Sequence, residues 1–300
     1  MNKKSLTITT GAMVTAIFGV MLLLNRQTGS LFQEIFVFLY PIPMVAFAAM
    51  YGLKSGLAVF ASMTMISVFL GDFTTMFYAV SQAVIGLIFG GCLYHKVDMT
   101  KTLFAVMLLS ALINVVDIIA FGAMSGVDLS MQVAELQTMM NAVFEQTGMV
   151  VPENAMSINT LKQMMIVSII FAGFIQGFIV YELSLLILRR LRFPVQKPKS
   201  IFAYMPPRWT GYAALLAFFA YNRSVILPFE QELVQNAALS IGMFGYIFLM
   251  CFGFIGIVQF LKARYPMVGK WSILICVILL FSLPIGVILA GFWYVAARRR

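Results

Sequence analysis

Between Leu103 and Met124 the only charged residue is Asp117, in a stretch that is otherwise almost wholly apolar. A helix of that length, rising 1.5 Å per residue, spans the roughly 30 Å hydrocarbon core of a bilayer. Comparable stretches recur along the 300-residue chain near 6–24, 33–51, 55–71, 74–94, 163–188, 209–228, 238–261 and 271–296. Each is continuous in its apolar character rather than alternating, which disfavours a transmembrane β-barrel. Composition agrees: 62% of residues are apolar and 10% charged, where soluble domains carry about 25% charge. The expected fold class is an all-α polytopic membrane bundle. About nine spans of about 20 residues leave no room for a soluble domain of ordinary size.

The distribution of Lys and Arg predicts the orientation. With the N-terminus in the cytoplasm, the inner segments hold Lys3, Lys4, Lys54, Lys96, Lys101, the cluster Arg189, Arg190, Arg192, Lys197, Lys199 and Arg208, then Lys262, Arg264 and Lys270. The outer loops hold only Arg26, Lys162 and Arg223. A ninth crossing would break this rule by placing Arg298, Arg299 and Arg300 outside. The suspects are 209–228, interrupted by Asn222, Arg223 and Pro228, and the last stretch, which Pro284 could break. The apolar run from Leu6 to Leu24 is too long for a signal-peptide core and reads as a retained first span. Residues 125–162 lie outside in this topology, and their apolar residues recur at helical spacing, as in an amphipathic surface helix. Thr160 to Gln163 reads as a capping box opening the next span. The proline-bearing basic segment 189–208 is the natural linker between a six-span unit, 1–188, and a C-terminal membrane unit, 209–300.

Polar residues at membrane depth call for a reason. Asn114 and Asp117 share a face of the fifth span, Gln82 sits at similar depth on the fourth, Gln176 is deeper on the sixth, and Asp72 stands at the turn before the fourth. Together they predict a ligand pocket open to the outside and roofed by 125–162, although interhelical hydrogen bonding alone also accounts for the amides. Small residues four apart, Ala12 and Ala16, Gly86 and Gly90, Gly173 and Gly177, permit close helix approach. The Ala12 and Ala16 pair belongs to a smooth stripe with Gly11, Thr15 and Gly19 that could dock a partner.

The chain carries no P-loop, HExxH or GxSxG motif. Its lone His95 and its separated Cys92, Cys251 and Cys276 offer no metal-ligand spacing. No enzymatic activity, cofactor, metal or nucleic-acid partner is expected.

Three segments carry a family resemblance: the opening Thr10-Gly11-Ala12-Met13-Val14-Thr15-Ala16; Tyr40-Pro41-Ile42-Pro43 continuing to Met50-Tyr51-Gly52-Leu53-Lys54-Ser55-Gly56; and the run from Gly253 through Gln259-Phe260-Leu261. In these the chain resembles the YybS-like family of bacterial membrane proteins, whose N-terminal unit is similar to the substrate-binding S components of energy-coupling factor (ECF) transporters. The resemblance implies a solute-binding subunit in the cytoplasmic membrane, with Ala12 and Ala16 docking a membrane-embedded T subunit that works with separate ATPases. The unit after residue 208 is absent from ordinary S components. The alternative expectation is a scaffold or regulatory protein that keeps the fold without a ligand.

Overall fold

Gly52 has φ +79°, a conformation that side-chain-bearing residues rarely adopt, and the chain reverses there. In the computed structural model, which describes residues 3–126, 129–147, 157–195, 206–265 and 269–297, this glycine lies within α3 (Pro41–Leu70). A methyl group on Gly56 would lie 3.6 Å from the Cβ of Ala48, although the two residues would stand about 12 Å apart along a straight helix. The two arms of α3, before and after Gly52, are therefore packed back to back. The aromatic ring of Tyr94 fills the space at the reversal, 3.1 Å from where a Gly52 Cβ would be. The expected spans 33–51 and 55–71 correspond to these arms, the first extended by α2 (Gln33–Leu39).

Around this hairpin stand α1 (Lys3–Gln27), α4 (Phe73–Tyr94), α5 (Met99–Ser125) and part of α7 (Ile158–Arg190). Phe18, Leu22, Tyr40, Met44, Phe47 and Met63 form one core, and Ile85, Phe89, Val106, Tyr181 and Leu185 a second. Glycines set the spacing: Gly86 faces the backbone of Pro41, Gly90 that of Val45, and Gly173 and Gly177 those of Ala111 and Met107. At these crossings a side chain would hold the backbones apart, so the two glycine pairs read from the sequence pack inside the unit. Asp72 and Asp98 cap α4 and α5 by accepting from backbone N–H groups.

By packing, the chain divides into two units, Met1–Val127 with Ile169–Pro198 and Asp128–Ser168 with Lys199–Arg300. The second holds α6 (Leu129–Thr147), the start of α7, α8 (Arg208–Ile226), α9 (Glu232–Arg264), α10 (Ser272–Ser282), α11 (Pro284–Phe292) and a π-helical turn (Trp293–Ala297). The opening of α7 differs from the capping box expected at Thr160: the helix starts at Ile158, and Ser157 Oγ accepts from the N–H of Thr160. Gln163 is then free to accept from Ser240 Oγ at 2.7 Å, beside a bond from Asn159 to Asn236.

Among the described residues, six helical segments are long and apolar enough to span a membrane: α1, Gln33–Leu70, α4, α5, α7 and α9. Gln33–Leu70, being folded at Gly52, holds two arms. α8 is not among them and carries Arg208, Asn222 and Arg223. Of the nine spans expected, α8 is thus a polar-ended helix, and the last is broken. Helices α10 and α11 meet at 115° at Pro284, where the proline has no N–H to continue the ladder. Beyond the bend the chain turns back along α9. Cys276 lies against Phe254, Val287 against Gly253, Gly291 against Leu249, Tyr294 against Gly256, and Val295 against Gly211 near the start of α8. All these partners belong to the C-terminal half of α9 and the first turns of α8. Arg298, Arg299 and Arg300 lie outside the described residues.

Candidate functional site

Consecutive residues of α4, Ser81 and Gln82, each take a polar partner from a different neighbouring helix. Gln176 of α7 donates to Gln82 Oε1 at 2.8 Å, and Ser81 Oγ donates to Asp117 Oδ2 of α5 at 3.0 Å. Three of the five residues expected in a pocket, Gln82, Asp117 and Gln176, are thus brought to one level of the first unit. They are deeply buried, at 0%, 1% and 6% exposure respectively. Their hydrogen-bonding capacity is only partly used: Gln82 Nε2 and Asp117 Oδ1 are buried without a partner. An amide donor and a carboxylate acceptor left open in apolar surroundings form a complementary pair of recognition groups.

Asn114 stands one turn from Asp117 on the same helix and is half-buried. Asp72 is placed differently. It is exposed at the start of α4, where its carboxylate accepts from Thr75 N at 3.4 Å, and about 15 Å of helix separates it from Gln82. Asp72 belongs instead to a second polar group at that end of the unit, which sequence reading missed. There Asn25 donates to Thr75 Oγ1, and Thr75 Oγ1 donates to Gln33 Oε1. Asn25 Oδ1 is buried without a partner, as is the hydroxyl of Tyr40. Ser81 was missed too, because serine is ordinary in a span and only its pairing with Asp117 reveals a role.

The stripe on α1 divides by face. Gly11 and Gly19 are buried against Val59 and Ile66 of the second α3 arm, whereas Ala12 and Ala16 are exposed. Ala12 and Ala16 form one wall of a groove of about 610 Å³ whose other wall is Ser55, Ala58 and Ser62. Ile8, Phe47, Val59 and Ile66 also line the groove, and a helix laid in it would come closest to the two backbones at the short side chains of Ala12, Ala16, Ser55, Ala58 and Ser62.

Among the described residues, no three His, Cys, Asp or Glu side chains converge as a metal site would require. No curated protein and no solved structure matches the chain. The model of the family described as "Predicted membrane protein (DUF2232)" matches residues 15–292, running from α1 into α11, and the chain therefore belongs to that family of multi-spanning membrane proteins.

Proposed function

We propose that the protein is a solute-binding subunit of the bacterial cytoplasmic membrane, of the S-component kind, without catalytic activity of its own. One observation carries the reading. In the first unit an amide donor and a carboxylate acceptor, Gln82 Nε2 and Asp117 Oδ1, are held open at full burial, anchored through their other atoms to Gln176 and Ser81. A purely structural amide–carboxyl cluster gains most when every group is paired, and groups left unpaired in an apolar bundle are costly. Binding a small molecule with one acceptor and one donor would satisfy both. Asn114, one turn from Asp117, is the outer member of this proposed site, and Asp72 lies apart from it with the group around Thr75.

The groove beside Ala12 and Ala16 supports a docking role toward a transmembrane T subunit, which would couple binding to separate ATPases. Sidedness follows from the cations. Six antiparallel arms, counting both arms of α3, return the chain to the side on which it began, and Lys54, Lys96, Arg189 and Arg190 all fall at that end. We place this end in the cytoplasm.

Native mass spectrometry of the gently purified protein tests the reading. A solute-binding subunit is expected to carry a small-molecule adduct and to recover T and ATPase subunits. Protein free of any adduct, recovered without ATPases, would favour the scaffold alternative, for which the bonds joining Gln82 to Gln176 and Ser81 to Asp117 serve only as helix ties.

A further inference from the structure

The second unit holds a cavity of a different chemistry. Where the returning limb passes the end of α9, a space of about 590 Å³ is bounded by Val258, Gln259, Phe260 and Lys262 on one side and by Trp293 and Tyr294 of the π-helical turn on the other. Its volume is within the range of small-molecule sites, and its walls are mainly apolar and aromatic. Among the described residues, Lys262 is the one charged residue in the lining. Gln259 and Lys262 are three apart and share a helix face, so their polar ends reach the same part of the space.

The level of this cavity is marked by its neighbours. Phe260, Tyr265, Trp271 and Trp293 are all exposed, and Arg264 and Lys270 lie in the same short stretch. Exposed aromatic rings interspersed with cations are the pattern of a membrane–water interface. The cavity accordingly straddles the boundary between headgroups and acyl chains. A small soluble anion gains little from the aromatic wall, and a zwitterionic lipid, whose phosphate is offset by its own ammonium, gains less from Lys262 than an anionic one. We propose that the cavity seats one anionic phospholipid, its phosphate held at Lys262 and Gln259 and the upper part of an acyl chain lying between Phe260 and Trp293. This site is independent of the polar cluster in the first unit and can hold if that reading fails.

Trp293 is the natural reporter, since the chain has three tryptophans and the other two, Trp209 and Trp271, can be changed to Phe. The double variant is reconstituted in phosphatidylcholine vesicles containing a minor fraction of phosphatidylglycerol, with bromine on the acyl chains of one lipid or the other. Brominated phosphatidylglycerol is expected to quench Trp293 as though enriched about five-fold over its mole fraction, the local preference that one cation near the surface confers. Lys262→Gln should reduce quenching to the level of random mixing, and Lys262→Arg should keep the excess. Equal quenching by the two lipids at equal mole fraction, or an excess that survives Lys262→Gln, would overturn the proposal. Native mass spectrometry of the unsubstituted protein from mixed micelles gives a second reading that does not depend on the Trp variants. A retained phosphatidylglycerol adduct, lost in Lys262→Gln, is expected; its absence from the unsubstituted protein counts against the site.

Discussion

The two units pack their helices by the same device and spend their polar residues differently. In the first, Gly86, Gly90, Gly173 and Gly177 admit neighbouring backbones; in the second, Gly242, Gly245, Gly253 and Gly291 do the same against Tyr221, Ala214, Val287 and Leu249. The contrast lies in what is buried with them. In the second unit the buried Gln235 serves a helix junction: its amide donates to Ser224 O, and its carbonyl accepts from Phe229 N, closing the turn between α8 and α9. In the first unit Gln82, Gln176 and Asp117 sit in helix interiors, where each backbone already satisfies itself and no turn needs closing. The same residue type is thus accounted for by local structure in one unit and left over in the other, which makes the first unit the place to look for a ligand.

The largest effects should be common to both units. Gly86→Leu and Gly253→Leu each force a side chain into a neighbouring backbone, and overpacking of that kind costs about 3 kcal/mol or more. Both variants are expected to lose the monodisperse peak in size-exclusion chromatography. If one unit tolerated its variant, the shared packing device would fail as a description of that unit.

Next come the amides, where the units should part. Gln235→Leu strands the N–H of Phe229 and the carbonyl of Ser224, a loss of about 1–3 kcal/mol. Gln82→Leu removes a single interhelical bond, worth about 0.6 to 1.7 kcal/mol in membrane proteins. Thermal unfolding in detergent should therefore rank Gln235→Leu as the more damaging, while only Gln82→Leu should reduce the bound small molecule. The reverse ranking would show that the amide pair in the first unit is chiefly structural.

The smallest effect on stability should come from the α1 groove. Ala12→Leu and Ala16→Leu together add bulk at exposed positions, so the melting temperature should move by no more than about 0.5 kcal/mol would shift it. Recovery of partner subunits should nevertheless fall. Unchanged recovery with both leucines in place would remove the docking role from this face.

Much of the architecture was legible because span-forming sequence is continuous and its interruptions are chemically loud. The boundary between 33–51 and 55–71 was readable from the break in apolar sequence that holds Lys54, and the structure places the reversal at Gly52. Pro284 likewise signalled the break that became the bend between α10 and α11. What escaped were properties that depend on partners from elsewhere in the chain. Nothing near Ser81 marks it as the group that meets Asp117, and nothing near Asn25 marks its bond to Thr75. The spacing of Thr160 and Gln163 fits a capping box, yet Ser157 takes the capping position and Gln163 is claimed by Ser240. Asp72 shows the same limit: grouped with the others from its place at the turn before the fourth span, it bonds locally at the helix start.

The central claim, that the polar cluster of the first unit binds a solute, is tested most directly by Asp117→Asn. The amide can still accept from Ser81, so the helix tie survives, but the open carboxylate oxygen is lost. Bound small-molecule content by native mass spectrometry and melting temperature are measured on the same preparation. A protein that melts near the unsubstituted value and has lost its adduct is the predicted result; an adduct retained in full by an equally stable Asp117→Asn protein would contradict the claim.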